Sequence, residues 1–133
     1  MSEPSKSELD GLRVLVVEDD YHVARSLGQT LTRLGCAVVG PTATAEEACE
    51  LVKREVVDAA ILDVRLAPGT SLPVATALRS RNRPFVFVTG FADLGMLPEE
   101  LRGHRVLHKP VESATLRAAL CEFSREQSRG ESS

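Results

Sequence analysis

Cysteine and histidine are too few and too scattered in this sequence to form a disulfide framework or a zinc site. Cys36, Cys49 and Cys121 are odd in number, lie far apart and form no C-x-x-C pair. The three histidines show no ligand spacing with one another or with the cysteines. We therefore expect buried, reduced thiols and no metal site made of cysteine or histidine.

Long apolar runs and an excess of positive charge are missing as well. No stretch approaches membrane-spanning length, and the polar start MSEPSKSELDG does not resemble a signal peptide. The formal net charge of −3 gives no reason to expect a nucleic-acid or membrane surface. With 133 residues, of which 43% are hydrophobic, we expect one cytoplasmic globular domain with its own core.

The sequence does contain an alternation of short apolar runs with helical patterns. Five runs predict strands, and the apolar residues of the first do not alternate with polar ones, which indicates burial on both faces. The predicted strands are Arg13–Glu18, Cys36–Gly40, Asp58–Asp63, Pro84–Thr89 and a weaker Val106–Lys109.

Helical patterns fill the intervals between these strands. Apolar spacing after the first strand predicts a helix that ends at Gly35. Thr44, with Glu47 three residues later, forms the capping-box pattern of a second helix. Thr70–Ser71 can cap a third helix, and an apolar stripe over residues 116–123 predicts a last one.

Strands that alternate with helices call for right-handed crossovers and a parallel sheet covered on both faces. Glycines and a proline punctuate Gly90–Gly103, so the fourth helix is expected to be short or irregular. We predict a domain over residues 11–124, with flexible polar tails at 1–10 and 125–133.

Four of the predicted strands end in side chains with useful chemistry. These are Glu18, Asp19 and Asp20 after the first strand, Asp63 after the third, Thr89 after the fourth and Lys109 after the fifth. In a parallel sheet the strand ends point the same way, so these groups should converge. Clustered carboxylates raise one another's pKa unless a cation intervenes, and Mg²⁺ prefers such oxygen ligands.

This set of groups suits phosphoryl transfer to a carboxylate, because a metal ion and an ammonium group neutralise charge on the transferred oxygens. Thr89 can donate a hydrogen bond. Asp63 is the natural nucleophile because it stands alone at its strand end, whereas Glu18 and Asp19 are paired as metal holders. The alternative interpretation is that strand-end acids only cap the following helices, and Asp20 fits that role.

The ordered motifs VLVVEDD, ILDV, VTG and HKP resemble the receiver domain of bacterial two-component response regulators, over about Leu12 to Phe123. The resemblance implies a flavodoxin-like (βα)5 fold, which is α/β with a doubly wound five-stranded parallel sheet in the order 2-1-3-4-5. It further implies that Glu18, Asp19, Asp63 and the backbone carbonyl of Arg65 hold Mg²⁺.

The same resemblance implies that a histidine kinase or phosphotransfer protein phosphorylates Asp63, with Thr89 and Lys109 in contact with the phosphoryl oxygens. Such a protein catalyses only its own phosphoryl transfer and autodephosphorylation. Arg65 could also screen Asp63 or gate water, although a solvated loop arginine is the simpler interpretation. Tyr21 could lie beside the acidic pocket or pack on its neighbours.

The fifth strand departs from the family pattern, because Val106 and Leu107 stand where many receivers carry an aromatic residue. The string PFVFVTGF instead resembles the FAT GUY subgroup of single-domain receivers, some of which act in general stress signalling. Thr89, Gly90 and Phe91 are therefore the candidate switch, since Gly90 lets the backbone move at low steric cost. Phe91 as ordinary core packing is the alternative.

The sequence after Lys109 has room for one helix and a tail, so we expect output through protein contact. The chain would bind a downstream protein, shuttle phosphate or drain it from a kinase, as a monomer or weak homodimer. A phosphorylation-independent adaptor is the main rival. Arg65 argues against a D-x-D phosphatase, and the glycine-free EDDYHVA argues against a nucleotide-binding loop.

Overall fold

Five strands in one sheet and four α-helices make up most of the computed structural model, which describes residues 8–66, 69–90, 99 and 105–131. The strands are β1 (Arg13–Val17), β2 (Ala37–Thr42), β3 (Ala59–Asp63), β4 (Phe85–Thr89) and β5 (Val106–His108). The helices are α1 (Tyr21–Arg33), α2 (Ala45–Arg54), α3 (Leu72–Ser80) and α4 (Ser113–Glu131). A two-residue antiparallel ladder also joins Arg65–Leu66 to Gly69–Thr70.

The strand order is β2-β1-β3-β4-β5, and every neighbouring pair is parallel. This arrangement confirms the predicted flavodoxin-like sheet. It places the carboxyl ends of β1, β3 and β4 side by side, where binding groups of such sheets lie. The predicted fourth helix, within Gly90–Gly103, falls almost entirely on residues 91–98 and 100–103, which lie outside the described residues.

The central strands are buried because both faces of the sheet carry apolar side chains. Alternate residues of each strand point to opposite faces, so the strands feed two separate core clusters. One cluster includes Leu15, Val17, Leu62, Phe85 and Phe87, together with residues of α2 and α3. The other includes Val14, Val16, Ile61, Val86 and Val88, together with residues of α1 and α4.

The predicted starts of α1 and α3 are capped in different ways. The Asp20 carboxylate accepts hydrogen bonds from the backbone N–H groups of His22 (2.9 Å) and Val23 (3.2 Å), so Asp20 caps α1 as expected. At α3 the cap residue Ser71 makes no side-chain hydrogen bond, and the Thr70 hydroxyl accepts from the Leu72 N–H at 3.3 Å instead.

The capping box of α2 is half formed. The Thr44 hydroxyl accepts a hydrogen bond from the Glu47 N–H at 3.1 Å, as predicted. The Glu47 carboxylate does not complete the box, because it accepts a hydrogen bond from the Thr42 hydroxyl at the end of β2. Glu47 therefore ties α2 to the edge strand.

Both predicted tails contribute residues to the folded domain. Leu9 is fully buried in the core cluster beside α1 and α4, which moves the start of the domain before residue 11. Helix α4 continues to Glu131, beyond the predicted limit of 124. Residues 1–7 and 132–133 lie outside the described residues, so flexible tails there remain a prediction.

The three cysteines are free thiols, but only Cys36 is buried, whereas Cys49 and Cys121 are partly exposed. The expectation that all three are buried was wrong. Burial, with smaller contributions from Cys121 and Asp10, raises the pKa of Cys36 to about 11. Cys36 therefore behaves as an unreactive core thiol.

Candidate metal and phosphoryl site

Three carboxylates meet at the carboxyl edge of the sheet. Glu18 follows β1 and is 3% exposed, Asp63 ends β3 and is 4% exposed, and Asp19 is exposed to solvent. One oxygen from each lies within 4.8 Å of the others. Glu18 and Asp63 stand at the ends of the apolar strands β1 and β3. These strands hold them in the interior, since neither strand can shift without exposing its core residues.

Lys109 joins the two buried acids. Its Nζ lies 3.0 Å from Glu18 Oε1 and 3.2 Å from Asp63 Oδ2. Desolvation lowers the pKa of Lys109, but the close approach and charge of Glu18, and then those of Asp63, outweigh it, so the pKa is raised. The Lys109 backbone N–H donates to the Thr89 carbonyl at 3.0 Å, which fixes this cation beside the end of β4.

Burial and a neighbouring acid act together on Glu18. Burial first, and then the close approach of Asp63, raise the pKa of Glu18 to about 7. A hydrogen bond from the Asp20 N–H to Glu18 Oε2 at 3.1 Å and the contact with Lys109 oppose that rise. When both buried carboxylates are ionised, they leave a net negative charge beside one ammonium group, which a further cation would neutralise.

The donor set fits a hard divalent cation. Three carboxylates supply the oxygen ligands that Mg²⁺ prefers, and the exposed Asp19 leaves the site open to the waters that Mg²⁺ retains. Among the described residues, Glu18 Oε1 is buried and accepts no hydrogen bond of normal geometry, although Lys109 Nζ lies close by. A metal ion bound to this oxygen would give it a partner of good geometry.

Asp63 is held at both oxygens. Oδ1 accepts a hydrogen bond from the Arg65 N–H at 3.3 Å, and Oδ2 contacts the ammonium group of Lys109. Arg65 itself is exposed and pairs with Thr70 in the short antiparallel ladder. The role of its carbonyl as a metal ligand remains a prediction.

The candidate switch is described in part. Thr89 is buried, and its hydroxyl donates to the Gly90 carbonyl at 3.1 Å. A Cβ placed on Gly90 would meet nothing within 4 Å, so packing among the described residues does not require glycine here. Phe91 lies outside the described residues. The Thr89 carbonyl, which accepts the Lys109 N–H, connects Thr89 to the site.

Two residues near the site deserve comparison with the sequence interpretation. Tyr21 is 69% exposed and its ring meets His22 edge-on, with centroids 5.6 Å apart, so it packs on its neighbour. Thr42 was not singled out by the sequence analysis, yet its carbonyl accepts the Glu18 N–H at 2.9 Å. Its place at the end of β2, beside the acids that follow β1, was the available signal.

This combination of a 2-1-3-4-5 parallel sheet and an acidic edge with one lysine defines a receiver domain. The family model of the response regulator receiver domain matches residues 14–121, and the chain belongs to this family. Receiver domains act as signalling switches of two-component systems and bind Mg²⁺ in an acidic pocket, and this chain has such an acidic cluster. No helix in the described part of the chain is long and apolar enough to cross a membrane.

Two curated relatives are larger proteins. Nodulation protein W of Bradyrhizobium diazoefficiens is 32% identical over 123 residues, which cover 89% of this chain and 54% of that protein. Transcriptional regulatory protein PdtaR of Mycobacterium tuberculosis is 30% identical over 81 residues, which cover 60% of this chain and 40% of that protein. The chain thus spans about half or less of these relatives.

Solved receiver structures match almost end to end. SdrG from Sphingomonas melonis Fr1 is 38% identical with a TM-score of 0.76, and the match covers 89% of this chain and 98% of SdrG. A response regulator receiver protein from Sinorhizobium medicae WSM419 is 26% identical with a TM-score of 0.76, and the match covers 88% and 97% of the two chains. The whole described sheet therefore lies within the shared domain.

Proposed function

We propose that the chain is a phosphorylation-operated switch whose phosphate acceptor is Asp63. The observation that supports this most directly is the contact of Lys109 Nζ with both Asp63 and Glu18, beside a third carboxylate from Asp19. A nucleophile, a metal site and a fixed cation are thereby gathered at one strand edge. Capping alone accounts for Asp20, but it does not account for buried acids that share a lysine.

The transfer would run from a phosphohistidine of a kinase or phosphotransfer protein. A carboxylate oxygen of Asp63 attacks phosphorus, the P–O bond forms, the P–N bond breaks, and the imidazole nitrogen keeps the electron pair. Mg²⁺ bound by Glu18, Asp19, Asp63 and the Arg65 carbonyl would supply charge neutralisation at the phosphoryl oxygens. Lys109 adds a second positive charge that is already in contact with the acceptor.

The Thr89 hydroxyl provides the first step of signal output. It donates to the Gly90 carbonyl in this structure, so it must leave that partner to bond a phosphoryl oxygen on Asp63. Breaking a bond to the next residue moves the backbone between Thr89 and Gly90 and gives two alternative states. Phe91 would carry this change to a downstream protein, and Phe91→Ala should weaken phosphorylation-dependent partner binding while leaving Asp63 labelling intact.

The wider role follows from the same site. Pro84–Phe85 and Thr89–Gly90 match the FAT GUY pattern, which supports a single-domain regulator that works in the cytoplasm through protein contact. A shuttle or sink for kinase phosphate would use the same chemistry. The subgroup resemblance supports stress signalling as the pathway.

The acceptor assignment is tested by labelling with a small phosphodonor and Mg²⁺, read by intact mass. We expect one acid-labile phosphoryl group on the wild type and none on Asp63→Asn. Asp58→Asn is a matched control, because Asp58 precedes the same strand and its carboxylate accepts from the Arg13 N–H at the opposite end of the strand. Wild-type labelling of Asp63→Asn would refute the assignment, and an unlabelled wild type would favour the phosphorylation-independent adaptor.

A further inference from the structure

Thr42 connects the site to the edge of the sheet. It ends β2, is 4% exposed, and forms hydrogen bonds with both its carbonyl and its hydroxyl. Its carbonyl accepts the Glu18 N–H at 2.9 Å, and its hydroxyl donates to the Glu47 carboxylate in the first turn of α2. Thr42 therefore links Glu18, a predicted metal ligand, to the first turn of α2.

A bulge in β2 brings Thr42 to this position. Leu15 of β1 pairs with Val39, but Val17 pairs with Thr42, so β2 uses one extra residue over this interval. Gly40 lies within the bulge with φ +88, and a Cβ there would meet the Thr42 nitrogen at 3.0 Å. Only glycine accommodates this backbone at low cost, so Gly40 permits the bulge that places Thr42 beside Glu18.

We propose that Thr42 is a positioning residue for the metal site, with Glu47 as its support. This inference rests on the proposed function, because it assigns to Thr42 the task of fixing Glu18 and the adjoining Asp19 as Mg²⁺ ligands. The Thr42 carbonyl orients the Glu18 peptide, and the Glu47 carboxylate fixes Thr42 in turn. Groups that orient metal ligands in this way affect metal affinity by about 10–100-fold when they are removed.

The hydroxyl is tested with two substitutions of similar size. Thr42→Val removes the bond to Glu47 and keeps the volume, whereas Thr42→Ser keeps the hydroxyl. Isothermal titration with Mg²⁺ should give about tenfold weaker binding for Thr42→Val and wild-type affinity for Thr42→Ser. In the metal-free protein, hydrogen exchange of the Glu18 amide should be faster in Thr42→Val, a readout that does not depend on phosphorylation.

A second pair of variants guards against misfolding of Thr42→Val. Glu47 and Glu46 are both exposed acids in the first turn of α2, but only Glu47 is known to accept from Thr42. Glu47→Ala should weaken Mg²⁺ binding in the same direction as Thr42→Val, and Glu46→Ala should not.

Wild-type Mg²⁺ affinity in Thr42→Val or in Glu47→Ala would overturn the positioning role while leaving the proposed function standing. An equal loss of affinity in Thr42→Val and Thr42→Ser would overturn it too, because the hydroxyl would then be irrelevant. If the wild type neither binds Mg²⁺ nor accepts phosphate, the proposed function fails and the positioning role fails with it.

Discussion

At the carboxyl end of the sheet the charged groups are buried against one another, whereas at the amino end they lie in solvent. Glu18 and Asp63 are almost fully enclosed and share Lys109. At the other end Arg13 pairs with Glu55 at 3.2 Å, and 38% and 46% of the two side chains remain exposed. The same kinds of residue thus experience very different surroundings within one five-stranded sheet.

The difference shows which end of the sheet lowers the stability of the folded protein. Exposed ion pairs of the kind at the amino end contribute roughly 0–1 kcal/mol each and cost little to form. Burial of two carboxylates instead raises the pKa of Glu18 to about 7, which means that the fold disfavours its charged form. That arrangement is costly for the free protein, and in the proposed function a bound cation would offset the cost.

Replacement of Lys109 should give the largest functional effect. Lys109→Gln removes the positive charge beside Asp63 and Glu18, so labelling by a small phosphodonor should slow by about two orders of magnitude. Lys53→Gln, on the exposed end of α2, is the control and should label normally. The initial rate of labelling by intact mass decides the matter, and an unchanged rate for Lys109→Gln would remove the lysine from the mechanism.

Replacement of Leu9 should destabilise the fold without impairing phosphoryl transfer to Asp63. Leu9 is 0% exposed, so Leu9→Ala should lower the free energy of unfolding by about 2–5 kcal/mol through lost burial and a cavity. Arg125→Ala removes only an exposed ion pair with Glu8 and should cost at most about 1 kcal/mol. Denaturant unfolding measures both.

Labelling completes that test. Leu9→Ala should still accept one phosphoryl group per molecule under conditions in which it remains folded. A labelling defect as severe as that of Lys109→Gln would mean that the two ends of the sheet are not independent.

The comparison also shows which features a sequence can predict. Apolar runs such as Ala59–Asp63 predict strands because burial on both faces leaves a continuous pattern that needs no partner to be recognised. The Asp20 and Thr44 caps were predictable for a similar reason, since each acts within three residues. The convergence of Glu18, Asp63 and Lys109 followed from parallel strand direction alone.

Other features depend on contacts between distant segments. Leu9 is a single apolar residue in a polar stretch, and its burial requires the surface provided by α1 and α4. The partner of Glu47 is decided by the bulge of β2, which brings the Thr42 hydroxyl within reach of the carboxylate. Neither outcome is encoded in a local pattern, so both needed the folded structure.

Mg²⁺ should stabilise the protein at the carboxyl end of the sheet, where the buried acids lie. An ion that binds only the folded state stabilises it by about 2.7 kcal/mol at one hundred times its dissociation constant. Millimolar Mg²⁺ should therefore raise the melting temperature, and Asp19→Ala should remove most of the gain.

Asp20→Asn is the matched control, because asparagine also caps helices well and Asp20 is engaged with the α1 backbone. Asp20→Asn should keep the full gain, and Leu9→Ala should keep it from a lower starting temperature. If Mg²⁺ leaves the melting temperature of the wild type unchanged, the acidic cluster is not a metal site. An equal gain in Asp19→Ala would show that Asp19 is not a metal ligand.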